Sequence, residues 1–178
     1  MIGTLTWLPA LDRPDLLAEP VAAALAAAGP GAALVAEIDP GLADTAAFCA
    51  TYDVALDVSA NCVVLAARRG ETVWLAACVV LATTRADVNR RARHELGARK
   101  VSFAAVDDAV AATGMEYGGI TPVGLPAGWP VLVDATAAAA DRVVVGSGLR
   151  RSKVLLPGAA VAGLPGARVI EGLGLPTG

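Results

Sequence analysis

The sequence predicts an α+β domain, and three observations lead to that class. Two valine-rich runs, residues 62–67 and 72–81, flank an Arg-Arg-Gly-Glu turn, a pattern typical of a buried antiparallel hairpin. Helical and extended segments alternate along the rest of the chain. The 178 residues, 56% of them apolar, suffice for one compact unit with its own core and a pocket.

The first third of the chain predicts two helices separated by an extended segment. Residues 12–15 (Asp-Arg-Pro-Asp) begin the first helix with proline in its first turn, and residues 29–31 (Gly-Pro-Gly) end it. Residues 33–38 are extended in pattern, and an Asp-Pro-Gly turn follows them. Asp44 then begins a short helix that runs through Thr51.

The second half begins with an amphipathic helix and continues with short elements. Val88, Ala92 and Leu96 recur every four residues, which predicts a helix from Arg85 to Leu96 with one packed face. The later elements are a strand at 101–104, a helix at 107–113, strands at 131–134 and 142–145, a helical turn at 157–163 and a strand at 167–170. Residues 115–128 are rich in glycine and proline without any period, so they predict a loop.

The charge balance limits how this chain can bind nucleic acid. With 14 basic and 17 acidic side chains, the net charge of −3 excludes a general polycation. Six of the basic residues nevertheless fall within residues 85–100, where Arg85, Arg90 and Arg93 are the candidates for phosphate contacts. The same arginines could instead only keep one face of the helix solvated, and the sequence favours neither interpretation over the other.

The residue types present exclude several kinds of active site. His94 is the only histidine, so an ordinary zinc site or a Ser-His-Asp triad cannot be assembled. Neither a phosphate-binding P-loop nor a dinucleotide fingerprint follows a predicted strand. We therefore expect no metal and no cofactor.

The apolar runs and the cysteines indicate a cytoplasmic protein. The longest uninterrupted apolar run has ten residues, 73–82, so neither a membrane span nor a signal peptide is expected. Cys49, Cys62 and Cys78 are far apart in sequence and lie among apolar neighbours, as buried reduced thiols do.

The loop at residues 117–124 (Tyr-Gly-Gly-Ile-Thr-Pro-Val-Gly) is the candidate binding segment. Adjacent glycines let the backbone approach a ligand closely, and successive N–H groups can hold a carbonyl oxygen or an oxyanion. A tight turn with a purely structural role explains the same residues. Spacing alone leaves both interpretations open.

Three consecutive motifs carry a resemblance to a known family. They are Leu-Gly-Ala-Arg-Lys-Val at 96–101, Thr-Gly-Met-Glu-Tyr at 113–117 and Gly-Gly-Ile-Thr-Pro-Val-Gly at 118–124. From about residue 45 to 170 the chain resembles the YbaK/prolyl-tRNA-synthetase-associated editing domains. The resemblance implies a single domain with a curved, mixed, mostly antiparallel, half-barrel-like sheet and surrounding helices, preceded by a helical extension at residues 1–44.

The resemblance also implies the residues of the site. The aminoacyl group would be held by Gly118, Gly119, Ile120, Thr121, Pro122 and Ser147. The family usually carries a lysine where the first hairpin strand begins, but this chain has Asn61 there, and Lys153 stands where the family has an aspartate. We interpret the two changes as a relocated positive charge, which makes Lys153 and Asn61 the candidate catalytic residues.

Two functions are consistent with these features. The first is a freestanding trans-editing deacylase that hydrolyses the ester of mischarged aminoacyl-tRNA at its acceptor end, without a metal, with a synthetase or translation factor as partner. The alternative is a non-catalytic or divergent binding or regulatory module of the same fold, because the usual lysine is replaced by Asn61.

Overall fold

The computed structural model describes residues 2–29, 31 and 33–177. The strands in that part of the chain are β1 (Leu8–Pro9), β2 (Leu34–Glu37), β3 (Ala60–Arg69), β4 (Thr72–Leu81), β5 (Thr84–Ala86), β6 (Lys100–Phe103), β7 (Val131–Asp134), β8 (Val143–Gly146), β9 (Ser152–Leu156), β10 (Ala167–Ile170) and β11 (Gly174–Pro176). The α-helices are α1 (Glu19–Ala28), α2 (Thr45–Tyr52), α3 (Arg93–Glu95), α4 (Val106–Thr113), α5 (Ala135–Ala139) and α6 (Gly158–Ala162).

The larger sheet has five strands in the order β10-β7-β4-β3-β6. Its centre is the long hairpin of β3 and β4, which pairs from Ala60 opposite Leu81 to Arg69 opposite Thr72. The hairpin predicted from the two valine-rich runs is therefore confirmed. β6 adds antiparallel to β3, whereas β7 and β10 add in parallel beyond β4.

A second sheet carries the strands that flank the hairpin. Its order is β1-β2-β9-β8, all antiparallel, and β5 and β11 form a separate two-stranded ribbon. Ser59 forms a parallel bridge to Val144, and the N–H of Val144 donates to the carbonyl of Val58 at 2.7 Å, so the two larger sheets are joined at this point. The predicted α+β class with mostly antiparallel, open sheets is confirmed.

The main core fills the space between the two larger sheets. Alternate apolar residues of β4, β7, β8 and β9 point into it, together with Val21 of α1, because successive strand residues face opposite sides. A second cluster lies under the helical segment 88–96, and a third surrounds Phe48 of α2. None of the helices in the described residues is long and apolar enough to cross a membrane.

The first predicted helix begins later than its sequence indicates. Pro14–Leu16 forms only a 3₁₀ turn, and α1 starts at Glu19. Between them, Leu17 is extended and the N–H of Ala18 donates to the carbonyl of Ser147 at 3.0 Å. This contact with the β8–β9 connection interrupts the helix. Pro30, part of the predicted helix end, lies outside the described residues.

The helix predicted over residues 85–96 is also shorter than expected. Arg85 pairs with Leu175 in the ribbon of β5 and β11, so the helical segment begins only at Val88. It runs as a π-helical turn, Val88–Ala92, into α3. The packed stripe is kept, since Val88, Ala92 and Leu96 are all buried.

Candidate functional site

An open cavity of about 780 Å³ lies between β3, the start of α2, the helical segment after β5, and the glycine loop. The predicted site residues on its wall are Asn61, Arg85, Gly118, Ile120 and Lys153. Within the described part of the chain, no three His, Cys, Asp or Glu side chains form a group that could hold a metal ion. The polar side chains on the wall include the amine of Lys153, the amide of Asn61 and the carboxylate of Asp44.

Lys153 lies in the floor of this cavity with only 7% of its surface exposed. It is held by β9, where it pairs with Ala36 on one side and Gly146 on the other. Its Nζ donates to the carbonyl oxygen of Ala43 at 2.8 Å and lies 5.1 Å from the centre of the Phe48 ring. An ammonium has three N–H donors, so two remain for a ligand.

Burial lowers the pKa of Lys153 to about 8, while Cys49 and Asp44 act in the opposite direction. Desolvation disfavours the charged form, and the nearby carboxylate of Asp44 partly compensates for it. At neutral pH the amine remains protonated. The cavity floor thus carries a positive charge in a partly water-excluded position, where electrostatic contacts are strengthened.

Asn61 is half-buried near the start of β3, and a neighbouring hydroxyl holds its amide in place. Thr45 Oγ1 donates to Asn61 Oδ1 at 2.5 Å. Among the described residues the amide nitrogen of Asn61 has no hydrogen-bond partner, so its two N–H groups are available to a ligand. Because Ala43 binds Lys153 and Thr45 binds Asn61, the start of α2 positions both side chains.

The glycine loop contributes to the cavity wall, but only in part. Gly118 and Ile120 line the cavity, whereas the Gly119 N–H donates to the carbonyl of Glu116 at 2.9 Å. A Cβ at Gly119 would lie 2.6 Å from the backbone of Leu149. At Gly119 the missing side chain therefore allows packing against the protein's own backbone. Within the described chain, the N–H groups of Gly118 and Ile120 have no backbone partner.

Besides Gly119, three of the predicted binding residues lie away from this wall. Thr121 is fully buried, and its hydroxyl has no partner among the described residues. Pro122 lines a second, more apolar cavity of about 770 Å³. Ser147 is buried and its hydroxyl is 2.7 Å from that of Ser152. Thr121 and Pro122 thus form the part of the loop that faces away from the candidate cavity, and Ser147 lies on the β8–β9 connection.

The basic residues lie at the edge of the cavity. Arg85 is exposed on the wall, and Arg90 and Arg93 are exposed on the helical segment beyond it. Arg91, in contrast, is held by two hydrogen bonds to the carbonyl of Glu171. The structure thus leaves the three predicted cations on the surface beside the cavity.

Sequence reasoning did not single out three residues of this site, although one of them, Tyr117, lies in the loop proposed as the binding segment. Asp44 was expected only to begin α2; it occupies the N-cap position without a side-chain capping bond and lines the cavity. Phe103 and Tyr117 also line the cavity although both are largely exposed. The available signal was weak: Phe103 is an aromatic residue within the predicted strand 101–104, and Tyr117 is one beside the glycine pair.

Comparisons with known proteins identify the kind of domain that holds this cavity. The family model of the aminoacyl-tRNA editing domain matches residues 39–164. The chain belongs to this family. The editing-domain match includes Asp44, Asn61, the glycine loop and Lys153, and it leaves out β1, β2, β10 and β11.

Solved structures share the fold of this editing domain. One, described as a candidate trans-editing enzyme for prolyl-tRNA synthetase, has a TM-score of 0.74 and 21% identity, covering 90% of this chain and 97% of its own. A protein described only as hypothetical has a TM-score of 0.76 and 20% identity, covering 88% and 100%. A scaffold protein for computational epitope grafting has a TM-score of 0.74 and 22% identity, and the match covers 90% of this chain and 97% of its own. Among curated proteins, none matches this chain.

Proposed function

We propose that this editing domain is a freestanding trans-editing deacylase, which hydrolyses the ester of mischarged aminoacyl-tRNA without a metal. The observation that carries the proposal is the buried ammonium of Lys153 in the floor of an open cavity. An aminoacyl ester is already activated. Positioning of the ester and stabilisation of charge on its carbonyl oxygen therefore suffice for catalysis.

In the proposed reaction, a water molecule attacks the ester carbonyl carbon and releases a proton to solvent. Attack by the adjacent ribose hydroxyl would only transfer the ester between the two ribose oxygens, so hydrolysis requires water. The carbonyl oxygen becomes an oxyanion, which the free N–H groups of Lys153 stabilise. When the tetrahedral intermediate collapses, the bond from carbon to the ribose oxygen breaks and that oxygen takes up a proton. With water as nucleophile, the products are a free amino acid and tRNA with a free 3′-terminal hydroxyl.

The remaining polar groups of the wall have positioning roles in this proposal. Thr45 holds the side-chain oxygen of Asn61, and the amide N–H groups of Asn61 donate to the substrate. The N–H groups of Gly118 and Ile120 supply further donors of the kind that form oxyanion holes. Thr121 and Pro122, in the buried part of the loop, and Ser147 have a structural role in this proposal.

Recognition of tRNA is assigned to the exposed arginines beside the cavity. Arg85, Arg90 and Arg93 would contact phosphates of the acceptor end. Because the net charge of the protein is negative, attraction of phosphate requires such a local basic cluster. We further propose a synthetase or translation factor as partner, residues 1–44 as an extension of the domain, and the cytoplasm as the location. The three free cysteines support a reducing compartment.

One observation favours the alternative, a binding or regulatory module without hydrolysis. At the position where the family usually carries a lysine, Asn61 is neutral and its carbonyl oxygen is already engaged by Thr45. Such a module would bind the same acceptor end and release it unchanged.

A deacylation screen distinguishes the two functions. Purified protein is incubated with a full panel of charged tRNAs, correct and mischarged, and the fraction still aminoacylated is measured over time. We expect at least one mischarged tRNA to be hydrolysed. Lys153→Met should lower the rate about 100- to 1000-fold, as expected for loss of an oxyanion donor.

Lys100→Met is the matched control, because Lys100 is the chain's other lysine and is exposed on edge strand β6. It should leave the rate unchanged. Binding of charged tRNA without hydrolysis of any member of the panel would instead support the regulatory module.

A further inference from the structure

The aromatic residues of this chain are few, and two of them are exposed at one place. Only seven of the 178 residues are Phe, Trp or Tyr. Phe103 and Tyr117 have exposed fractions of 64% and 61%, and both line the wall of the candidate cavity. The other five aromatic residues are buried or half-buried. Exposed aromatic rings are thus confined to the edge of this cavity.

Both rings stand on backbone that is held in place. Phe103 ends β6, where it pairs with Leu65, and the N–H of the next residue, Ala104, donates to Val64 at 2.9 Å. The carbonyl of Tyr117 accepts a hydrogen bond from Arg150 at 3.2 Å. An aromatic ring on a fixed backbone loses little conformational entropy when a ligand stacks on it.

The charge beside the rings indicates what kind of ligand they suit. Arg85 lines the same cavity and is exposed, and Arg90 and Arg93 follow it on the neighbouring helical segment. Aromatic faces combined with a basic edge are the arrangement by which proteins bind unpaired nucleotides, the rings stacking on bases and the cations contacting phosphates.

We propose that Phe103 and Tyr117 are stacking platforms for the unpaired nucleobases at the 3′ end of the tRNA acceptor strand. The inference rests on the proposed function, since it assumes that the cavity receives this end of the molecule. Stacking of the terminal bases at the edge would direct the ester toward Lys153 in the floor. The two rings are binding residues and take no part in the chemical step.

The stacking role predicts a specific kinetic pattern. Removal of either ring should weaken RNA binding by about 5- to 100-fold, the range for loss of one base–aromatic stack. For deacylation the loss should appear in KM, with kcat nearly unchanged, because the groups around the ester are intact. Replacement of Phe103 or Tyr117 by leucine should weaken RNA binding almost as much as replacement by alanine, since an aliphatic side chain does not provide a π-face.

Binding can be measured without any hydrolysis. The probe is an uncharged hairpin RNA with the acceptor stem and a single-stranded 3′ end whose terminal base is 2-aminopurine. We expect wild-type protein to quench its fluorescence, and Phe103→Leu and Tyr117→Leu to bind weakly with reduced quenching. Val73→Leu is the matched control, because Val73 has an exposed fraction of 60% on β4 and does not line the cavity. Circular dichroism establishes that each variant is folded.

The outcomes separate this inference from the proposed function. Quenching by wild type that is lost in both variants supports stacking even where no charged tRNA is hydrolysed. Equal quenching by wild type and by the double variant that combines Phe103→Leu with Tyr117→Leu would overturn it, as would equally tight binding of an RNA with abasic 3′ nucleotides. In either of those cases the rings would serve another partner, such as a protein surface.

Discussion

The buried amine of Lys153 should make the protein less stable than it would be with an apolar residue there. Its pKa is lowered from 10.5 to about 8, with burial as the largest cause. At about 1.36 kcal/mol per pKa unit, the buried ammonium costs roughly 3 kcal/mol at neutral pH. Lys153→Met removes the charge while keeping an unbranched side chain of similar length.

The sign of the effect follows from where the proton is bound. Below pH 8 the amine is protonated in both the folded and the unfolded chain, so the folded state bears the full cost. Between pH 8 and 10.5 the folded state releases the proton and the unfolded state keeps it, so the stability of the wild type rises with pH. The advantage of Lys153→Met therefore decreases from about 3 kcal/mol at pH 7 to about 2 kcal/mol at pH 9.

The hydrogen bond between Lys153 and Ala43 reduces these values. Methionine has no N–H group, so the carbonyl of Ala43 is left without its donor in the variant, which costs about 1 kcal/mol. We therefore expect Lys153→Met to be more stable than wild type by about 2 kcal/mol at pH 7 and about 1 kcal/mol at pH 9. The raised pKa values of Cys62 and Cys78 also affect stability at high pH, but they are common to both proteins. The pKa of Cys49, which burial raises and Lys153 partly lowers, is raised further in the variant.

Urea unfolding followed by circular dichroism at pH 7, 8 and 9 measures this difference. Lys100→Met should change stability by less than about 0.5 kcal/mol at every pH, because this lysine is exposed. The reasoning is refuted if Lys153→Met is less stable than wild type at pH 7, or if the difference between them does not decrease with pH. A more stable variant without activity would show that the charge is kept for function.

Three further predictions concern the site. The enzyme-dependent rate of deacylation, corrected for spontaneous hydrolysis, should fall above pH about 8 as Lys153 loses its proton; a flat profile would exclude the ammonium as the active form. Gly119→Ala should destabilise the fold by about 1–3 kcal/mol through its backbone clash, whereas Gly163→Ala, with 3.5 Å of space, should have little effect in thermal unfolding. Replacing Arg90 and Arg93 by alanine should reduce the salt dependence of tRNA binding by about 1.5 in log–log slope; an unchanged slope would leave both arginines a solvated surface.

Local patterns were sufficient for the central hairpin and for most short elements. The run from Thr72 to Leu81 is both the predicted and the observed strand, because a continuous valine-rich segment beside a turn is determined by neighbouring residues. The predicted starts of two helices, the first helix and the one over residues 85–96, were wrong because long-range pairing decided them. Ala18 bonds to Ser147 and Arg85 pairs with Leu175, and neither of these long-range pairings leaves a trace in the local period.

Some features of the candidate site could likewise be predicted from the sequence, and others depended on the tertiary structure. The sequence alone determined the chemistry that is available: a single histidine, two lysines, a glycine-rich loop and motifs that identify an editing domain. Tertiary structure decided which of these groups meet, since Lys153 is anchored by Ala43, a residue 110 positions away. It also decided that Gly119 packs on Leu149 while Phe103 and Tyr117 face the cavity. Residue types fix which charges and donors exist, whereas burial and long-range pairing fix where they lie and how strongly they act.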